Sequence, residues 1–156
     1  WGYNMKTTIK VKVLSNEEKI IYKNKMIELG KILDEKSDLF IEKYINQINS
    51  FIIFGVINEF NNNLLGFCVI SDNGMNLNLY SLIIDPKFQR NKIGSIFLLE
   101  VEKKLKTLCN QSGVLSIIIM LSAKKEVEGF YYKNKYKYLY DLKRDNSNEI
   151  VLFKEI

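Results

Sequence analysis

The sequence predicts an α/β fold: an α+β domain with a mixed, largely antiparallel sheet of six to seven strands, flanked by about four helices. Three observations predict it. Residues 51–57, 64–71 and 76–84 are apolar, strand-like runs, separated by the polar segment 58–63 and by Asp72-Asn73-Gly74. Such short polar turns join antiparallel neighbours into a meander. The third run stops at Pro86, the only proline of the chain, and is followed by a basic loop, a helix that begins at Gly94 and a further apolar run at 114–121. A strand, a helix and a strand in that order read as a crossover between parallel neighbours. Within the last run, Ile117 to Leu121 are five consecutive apolar residues, which implies a strand buried on both faces, among parallel neighbours in mid-sheet.

The remaining elements follow from periodicity. Residues 7–14 alternate, with Ile9, Val11 and Val13 on one face of a strand. Ser15 and Glu18 form a capping-box pattern that opens a helix. Tyr22, Met26, Leu29 and Leu33 fall on one side of that helix, so it is amphipathic. Residues 34–38 break it, and a second short helix buries Ile41, Ile45 and Ile48. The helix after the basic loop carries Phe97, Val101, Leu105 and Leu108 on one face, and Gly113 separates it from the next strand. A helix over 125–134 and closing strands at 136–142 and 149–154 complete the order β-α-α-β-β-β-α-β-α-β-β. No repeat or linker interrupts it, so residues 1–156 read as a single domain. Trp1-Gly2-Tyr3-Asn4, ahead of Met5, read as a short addition outside the fold.

Composition narrows the function classes. With 156 residues, 47% hydrophobic and 26% charged, the chain has the make-up of an ordinary globular domain with a sizeable core. Its net charge of +5 suits a polyanionic small ligand. The basic residues are spread along the chain, which argues against a dedicated nucleic-acid module. There is no histidine, so Ser-His-Asp and Cys-His nucleophiles and His-ligated zinc are all excluded. Cys68 and Cys109 do not make a disulfide framework, and a reducing, cytoplasmic setting is expected. No apolar run approaches the roughly 20 residues that cross a bilayer, so no membrane association is expected.

The stretch from Ile84 to Leu99 carries the most chemistry. A strand end, a basic turn and a helix N-terminus together suit a pyrophosphate. The first N–H groups of a helix lack intrahelical partners and sit at the positive end of its dipole. Gly94 permits close backbone approach, and Arg90 and Lys92 add positive charge.

At this point the chain resembles the GNAT superfamily of N-acetyltransferases over nearly its whole length. Leu82-Ile83-Ile84-Asp85-Pro86-Lys87-Phe88-Gln89-Arg90-Asn91-Lys92-Ile93-Gly94-Ser95 is similar to the family's acyl-CoA pyrophosphate loop. Gly129-Phe130-Tyr131-Tyr132-Lys133-Asn134-Lys135-Tyr136 resembles its Phe-Tyr-x-Lys-x-Gly-Phe segment. Lys92 and Lys135 stand where the family usually has glycine, and Lys124 and Lys125 occupy the stretch where it usually has an asparagine. A positive φ at Lys135 would be strained.

The resemblance implies a sheet with one splayed strand pair and acetyl-CoA as co-substrate in the cleft between those strands. Leu82, Ile83 and Ile84 would meet the pantetheine arm, through backbone groups of Leu82 and Ile84. The N–H groups of Gln89, Arg90, Asn91, Lys92, Ile93, Gly94 and Ser95 would hold the pyrophosphate. Tyr131 would protonate the departing thiolate, with Tyr132 as the alternative one residue on. A backbone N–H of a bulged fourth strand, near Ile84, would hold the oxyanion. Glu59, Asp85 and Tyr80 are candidate bases beside a water chain. Transfer would be direct, without a covalent enzyme intermediate.

The first two helices and the last strand pair would shape the acceptor side. Asp34, Glu35, Asp38 and Glu42 would attract a cationic amine. Lys133, Lys135, Lys137, Lys143 and Arg144 would attract a phosphorylated one. The expected acceptor is a primary amine, taken as a small molecule. A protein N-terminus or lysine, and glucosamine 6-phosphate, are the alternatives. A non-catalytic acyl-CoA-binding domain is the non-enzyme alternative, and a nucleic-acid-binding domain using residues 131–144 is a third class. Edge strands at the C-terminal end make a homodimer plausible.

Overall fold

The structure, a computed structural model, describes residues 8–33, 37–46, 50–142 and 148–156, with backbone alone at 37–39 and 90–91. Strands β1 (Ile9–Val13), β2 (Ile52–Asn58), β3 (Leu64–Asp72), β4 (Leu77–Ile84), β5 (Ile118–Lys124), β6 (Lys137–Leu142) and β7 (Glu149–Glu155) form one seven-stranded sheet in the order β1-β2-β3-β4-β5-β7-β6. Five α-helices accompany them among the described residues: α1 (Asn16–Ile21), α2 (Lys23–Leu33), α3 (Ser37–Asn46), α4 (Ile93–Gln111) and α5 (Glu128–Lys133). Every strand pair is antiparallel except β4 with β5, which is parallel. The expected mixed, largely antiparallel sheet is therefore present.

The sheet separates two cores because successive side chains of a strand point to opposite faces. Phe54, Val56, Cys68 and Ile70 pack with Phe97, Val101 and Leu105 of α4. Ile53, Ile57, Phe67 and Val69 pack with Met26 and Leu29 of α2 and Ile41 of α3. The apolar runs read from the sequence thus bury both faces of β2 and β3.

Two features of β4 shape the site. It pairs with β5 only at Leu77 with Ile119 and Asn78 with Met120, and the strands then part. On its other side Val69 pairs with Tyr80, but Phe67 pairs with Ile83. Cys68 therefore opposes both Ser81 and Leu82, which is a β-bulge. Ser81 takes a left-handed φ of 56° there. The bulge falls at Ser81 and Leu82, earlier than the expected position near Ile84. Gly66 lets the bulged strand lie close: a Cβ at Gly66 would sit 2.5 Å from the Ile83 carbonyl oxygen.

Several expectations are corrected. The helix expected through residue 33 is broken at Tyr22, where φ is −93° and ψ 2°. The Tyr22 hydroxyl donates to the Asn62 carbonyl at 2.7 Å, and α1 and α2 are distinct segments. The capping box of Ser15 and Glu18 does open α1. The strand expected over 114–121 runs instead from Ile118 to Lys124. Gly113, at φ 81°, turns the chain off α4, and Leu115 is 82% exposed. β5 is not buried on both faces: Ile119 and Leu121 are buried, while Ile118 is 40% exposed. Its neighbour β7 is antiparallel and β4 leaves it early, so one face stays open.

The basic loop is a 3-10 turn, Pro86–Asn91, and α4 begins at Ile93 rather than Gly94. The helix expected over 125–134 is a 3-10 turn, Lys125–Val127, followed by the short α5. Residues 1–7, Asp34, Glu35, Ile48, Lys143 and Arg144 lie outside the described residues, as do the side chains of Asp38, Arg90 and Asn91.

Candidate active site

The parting of β4 and β5 opens a cleft of about 590 Å³. One wall is β4 from Leu79 to Ile84, and the opposite wall is the end of β5 (Ser122, Ala123, Lys124) with Phe130 and Tyr131 of α5. Gln89 and Gly94 close one end. Ile32 and Leu33 of α2 and Phe40 and Tyr44 of α3 form the other.

At the Gln89 and Gly94 end a short turn leads into a helix start. Asp85 caps the 3-10 turn by accepting from the Lys87 N–H at 3.1 Å, with Pro86 fixing its first position. Lys92 then takes a left-handed φ of 59° and starts α4 without capping it through its own side chain. The first N–H groups of this 19-residue helix have no partner within the helix and lie at the positive end of its dipole. A Cβ at Gly94 would lie 3.3 Å from the Phe130 ring, so this glycine lets α4 pack closely against α5.

Tyr131 is 7% exposed, and its ring meets the edges of Phe130 and Tyr136 at centroid distances of 5.1 and 5.6 Å. Burial, followed by the nearby Cys68 thiol, pushes its phenol above the ordinary tyrosine range, so it stays protonated at neutral pH. Tyr132 is 41% exposed, and its hydroxyl contacts Glu128 at 3.3 Å, on the side away from the cleft. Cys68 is fully buried and its thiol is pushed up by burial, which makes it a poor nucleophile.

Leu82, Ile83, Ile84, Gln89, Gly94 and Tyr131, scattered over fifty positions of sequence, all line this one cleft. Ile93 is fully buried in the same core as Phe97 and is not among the residues that line the cleft. Lys92 is exposed, and Ser95 accepts from the Asn134 side chain at 3.2 Å. The Gln89 side chain donates to the Ile84 carbonyl at 2.9 Å, which leaves that oxygen one lone pair for a ligand.

Of the candidate bases, only Tyr80 lines the cleft, with its ring stacked on Tyr44 at 6.3 Å. Glu59 is an exposed residue of the β2–β3 connection. Asp85 is buried and its carboxylate pairs with Lys25 at 2.9 Å. Burial raises its pKa, but the hydrogen bonds from Lys25 and Lys87 outweigh that and hold it below the ordinary range. Asp85 therefore anchors α2 to the 3-10 turn that precedes α4.

Several lining groups, Glu149, Ser81, Phe40 and Tyr44 among them, were not read from the sequence. Glu149 reaches the cleft because it pairs with Lys124 across β5 and β7, a long-range register that no local pattern reveals. Ser81 stands at a bulge that neither glycine nor asparagine marks. Phe40 and Tyr44 share α3 with the predicted core position Ile41, and their aromatic character was the available signal. Glu42, from the acidic stretch, pairs with Lys23 at 3.1 Å. Among the described residues no cluster of acidic, cysteine or histidine side chains could hold a metal ion. Nor is any helix among them long and apolar enough to cross a membrane.

Comparison with known proteins agrees with this geometry. The family model described as Acetyltransferase (GNAT) family matches residues 22–136. No sequence among curated proteins matches the chain. Among solved structures, an aminoglycoside 6'-N-acetyltransferase complexed with coenzyme A is similar at a TM-score of 0.73 and 15% identity, covering 94% of this chain and 96% of that one. The PaiA N-acetyltransferase from Thermoplasma acidophilum, in complex with coenzyme A, gives 0.66 and 22% identity, over 96% and 99% of the two chains. The aminoglycoside 6'-N-acetyltransferase from Enterococcus faecium gives 0.71 and 16%, over 94% and 96%.

Proposed function

The chain belongs to the GNAT family of acetyltransferases and is an acyltransferase, and from that premise we propose that it moves an acetyl group from acetyl-CoA directly to the primary amine of a small molecule. The observation that carries this reading is the cleft itself. Gly94, in the first turn of a helix that Lys92 does not cap through its side chain, and the buried, protonated phenol of Tyr131 line the same cleft. In this reading the first N–H groups of α4 take the pyrophosphate. The pantetheine arm lies along β4 in place of the missing β5 partner, and the thioester comes to rest near Tyr131.

The amine nitrogen attacks the thioester carbonyl, and a backbone N–H of the bulged β4 segment receives the oxyanion. The C–S bond then breaks, the sulfur leaves with the electron pair, and the Tyr131 hydroxyl gives it a proton. The attacking nitrogen loses its proton to water, and the products are an amide and a thiol. The acceptor's body lies against Ile32, Leu33, Phe40, Tyr44 and Tyr80, a largely apolar wall suited to a small molecule with an apolar frame. Acetyl-CoA as donor and a cytoplasmic setting belong to the same proposal.

The test is thiol release from acetyl-CoA with a panel of amines: an arylalkylamine, a polyamine, an aminoglycoside, glucosamine 6-phosphate and a lysine peptide. Turnover of a small amine is expected, with kcat lowered about 100-fold in Tyr131→Phe, the low end of what a positioned acid contributes. No turnover across the panel, or a kcat that ignores the substitution, contradicts it.

A further inference from the structure

Behind Tyr131 lies a polar network that this mechanism does not use. Glu102 sits on the buried side of α4 beside Val101 and Leu105 and is only 5% exposed. Its Oε1 pairs with Lys154 Nζ of β7 at 2.6 Å, and its Oε2 accepts from the Tyr136 hydroxyl at 2.9 Å. Lys154 also donates to the Asn134 carbonyl at 3.0 Å and lies 5.6 Å from the centre of the Tyr136 ring. Asn134 in turn donates through its side chain to the Phe130 carbonyl at 2.8 Å and to the Ser95 hydroxyl at 3.2 Å.

The same residues close α5. The Tyr136 N–H bonds the Tyr131 carbonyl and the Lys135 N–H bonds the Tyr132 carbonyl, with Lys135 left-handed at φ 72°. This is the Schellman arrangement, which brings together the side chains at its two ends. Here those are Tyr131 and Tyr136, with rings 5.6 Å apart at 74°. The ring that braces Tyr131 is thus held at its hydroxyl by Glu102.

The Glu102–Lys154 pair, buried at the carboxylate and partly buried at the lysine, adds little net stability over apolar residues of the same size. Its place directly behind the candidate acid suits another role. We propose that Glu102 and Lys154 are positioning residues: through Tyr136 and Asn134 they fix Tyr131 against the cleft and tie it to Ser95 at the start of the cofactor-side helix. This rests on the acetyltransfer reading given above.

The test is a double-mutant cycle. Tyr136→Phe keeps the bracing ring and removes only its anchor, and Glu102→Gln removes the charge. Each is made in the natural chain and in Tyr131→Phe, with folding checked by thermal unfolding and near-ultraviolet circular dichroism. In the natural chain kcat is expected to fall about tenfold, within the coupling range of contacting residues, while KM for acetyl-CoA changes less than about threefold. In the Tyr131→Phe chain the same substitutions are expected to leave kcat unchanged, because the group they position is gone. Equal losses in both backgrounds overturn the positioning role alone. A Tyr131→Phe chain with unaltered kcat overturns the acid assignment and this inference with it. Because Tyr136→Phe retains the packed ring, it decides the matter even where Glu102→Gln fails to fold.

Discussion

Lys92 and Lys135 hold the left-handed backbone conformation, at φ 59° and 72°. An L residue with a Cβ is disfavoured there by roughly 1–2 kcal/mol, and glycine gives back about 0.5–1 kcal/mol in unfolded-state entropy. Lys92→Gly and Lys135→Gly are each expected to stabilise the fold by up to about 1 kcal/mol. The urea midpoint should rise at unchanged m value, and a fall would show that the lysine side chains make contacts worth more than the strain. Asp85 supplies a pH prediction. Its folded pKa is depressed, so its contribution is present above the ordinary carboxylate range and is lost as the pH falls through the folded value. Asp85→Asn is expected to cost about 1–3 kcal/mol at neutral pH, with the gap to the natural chain closing in acid. A cost independent of pH between 7 and 2 would mean that the ion pair with Lys25 is not its source. The Pro86 to Ser95 segment was legible because a proline, a glycine and basic residues in that order carry local backbone meaning. The pairing of Asp85 with Lys25 was not, since sixty positions separate them.

At the scale of elements, the bulge in β4 and the glycine beside it work as a pair. Gly66→Ala would place a Cβ 2.5 Å from a backbone oxygen, which cannot rotate away as a side chain would. A loss of about 1–3 kcal/mol is expected, as for overpacking elsewhere. Gly94→Ala should cost less, because the Phe130 ring that it meets at 3.3 Å can shift. Thermal unfolding of the two variants ranks them, and the reverse order would contradict the geometry. The meander β2–β4 was readable because its apolar runs and turn residues are local. β5 was misjudged for a physical reason. Its apolar run suggested cover on both faces, yet strand divergence left one face open, and divergence is a property of the β4–β5 pair rather than of either segment. Tyr131 was identified through a family motif, and burial of that tyrosine with exposure of Tyr132 follows from the period of α5.

For the whole molecule, the element order and sheet composition were legible because two helical layers on a mixed sheet impose distinct periodicities on the chain. The cleft itself was legible only by resemblance. It arises from where two strands stop pairing, and its acceptor end draws on α2, α3 and β7, which meet only in three dimensions. We propose that this cleft binds acetyl-CoA through the start of α4. That proposal is tested most directly by thermal unfolding with acetyl-CoA, with AMP as control. A ligand at 100 times its dissociation constant adds about 2.7 kcal/mol, which for a domain of this size raises the midpoint by roughly 5–11 °C. That rise is expected with acetyl-CoA and none with AMP. No shift with either at millimolar concentration would contradict it.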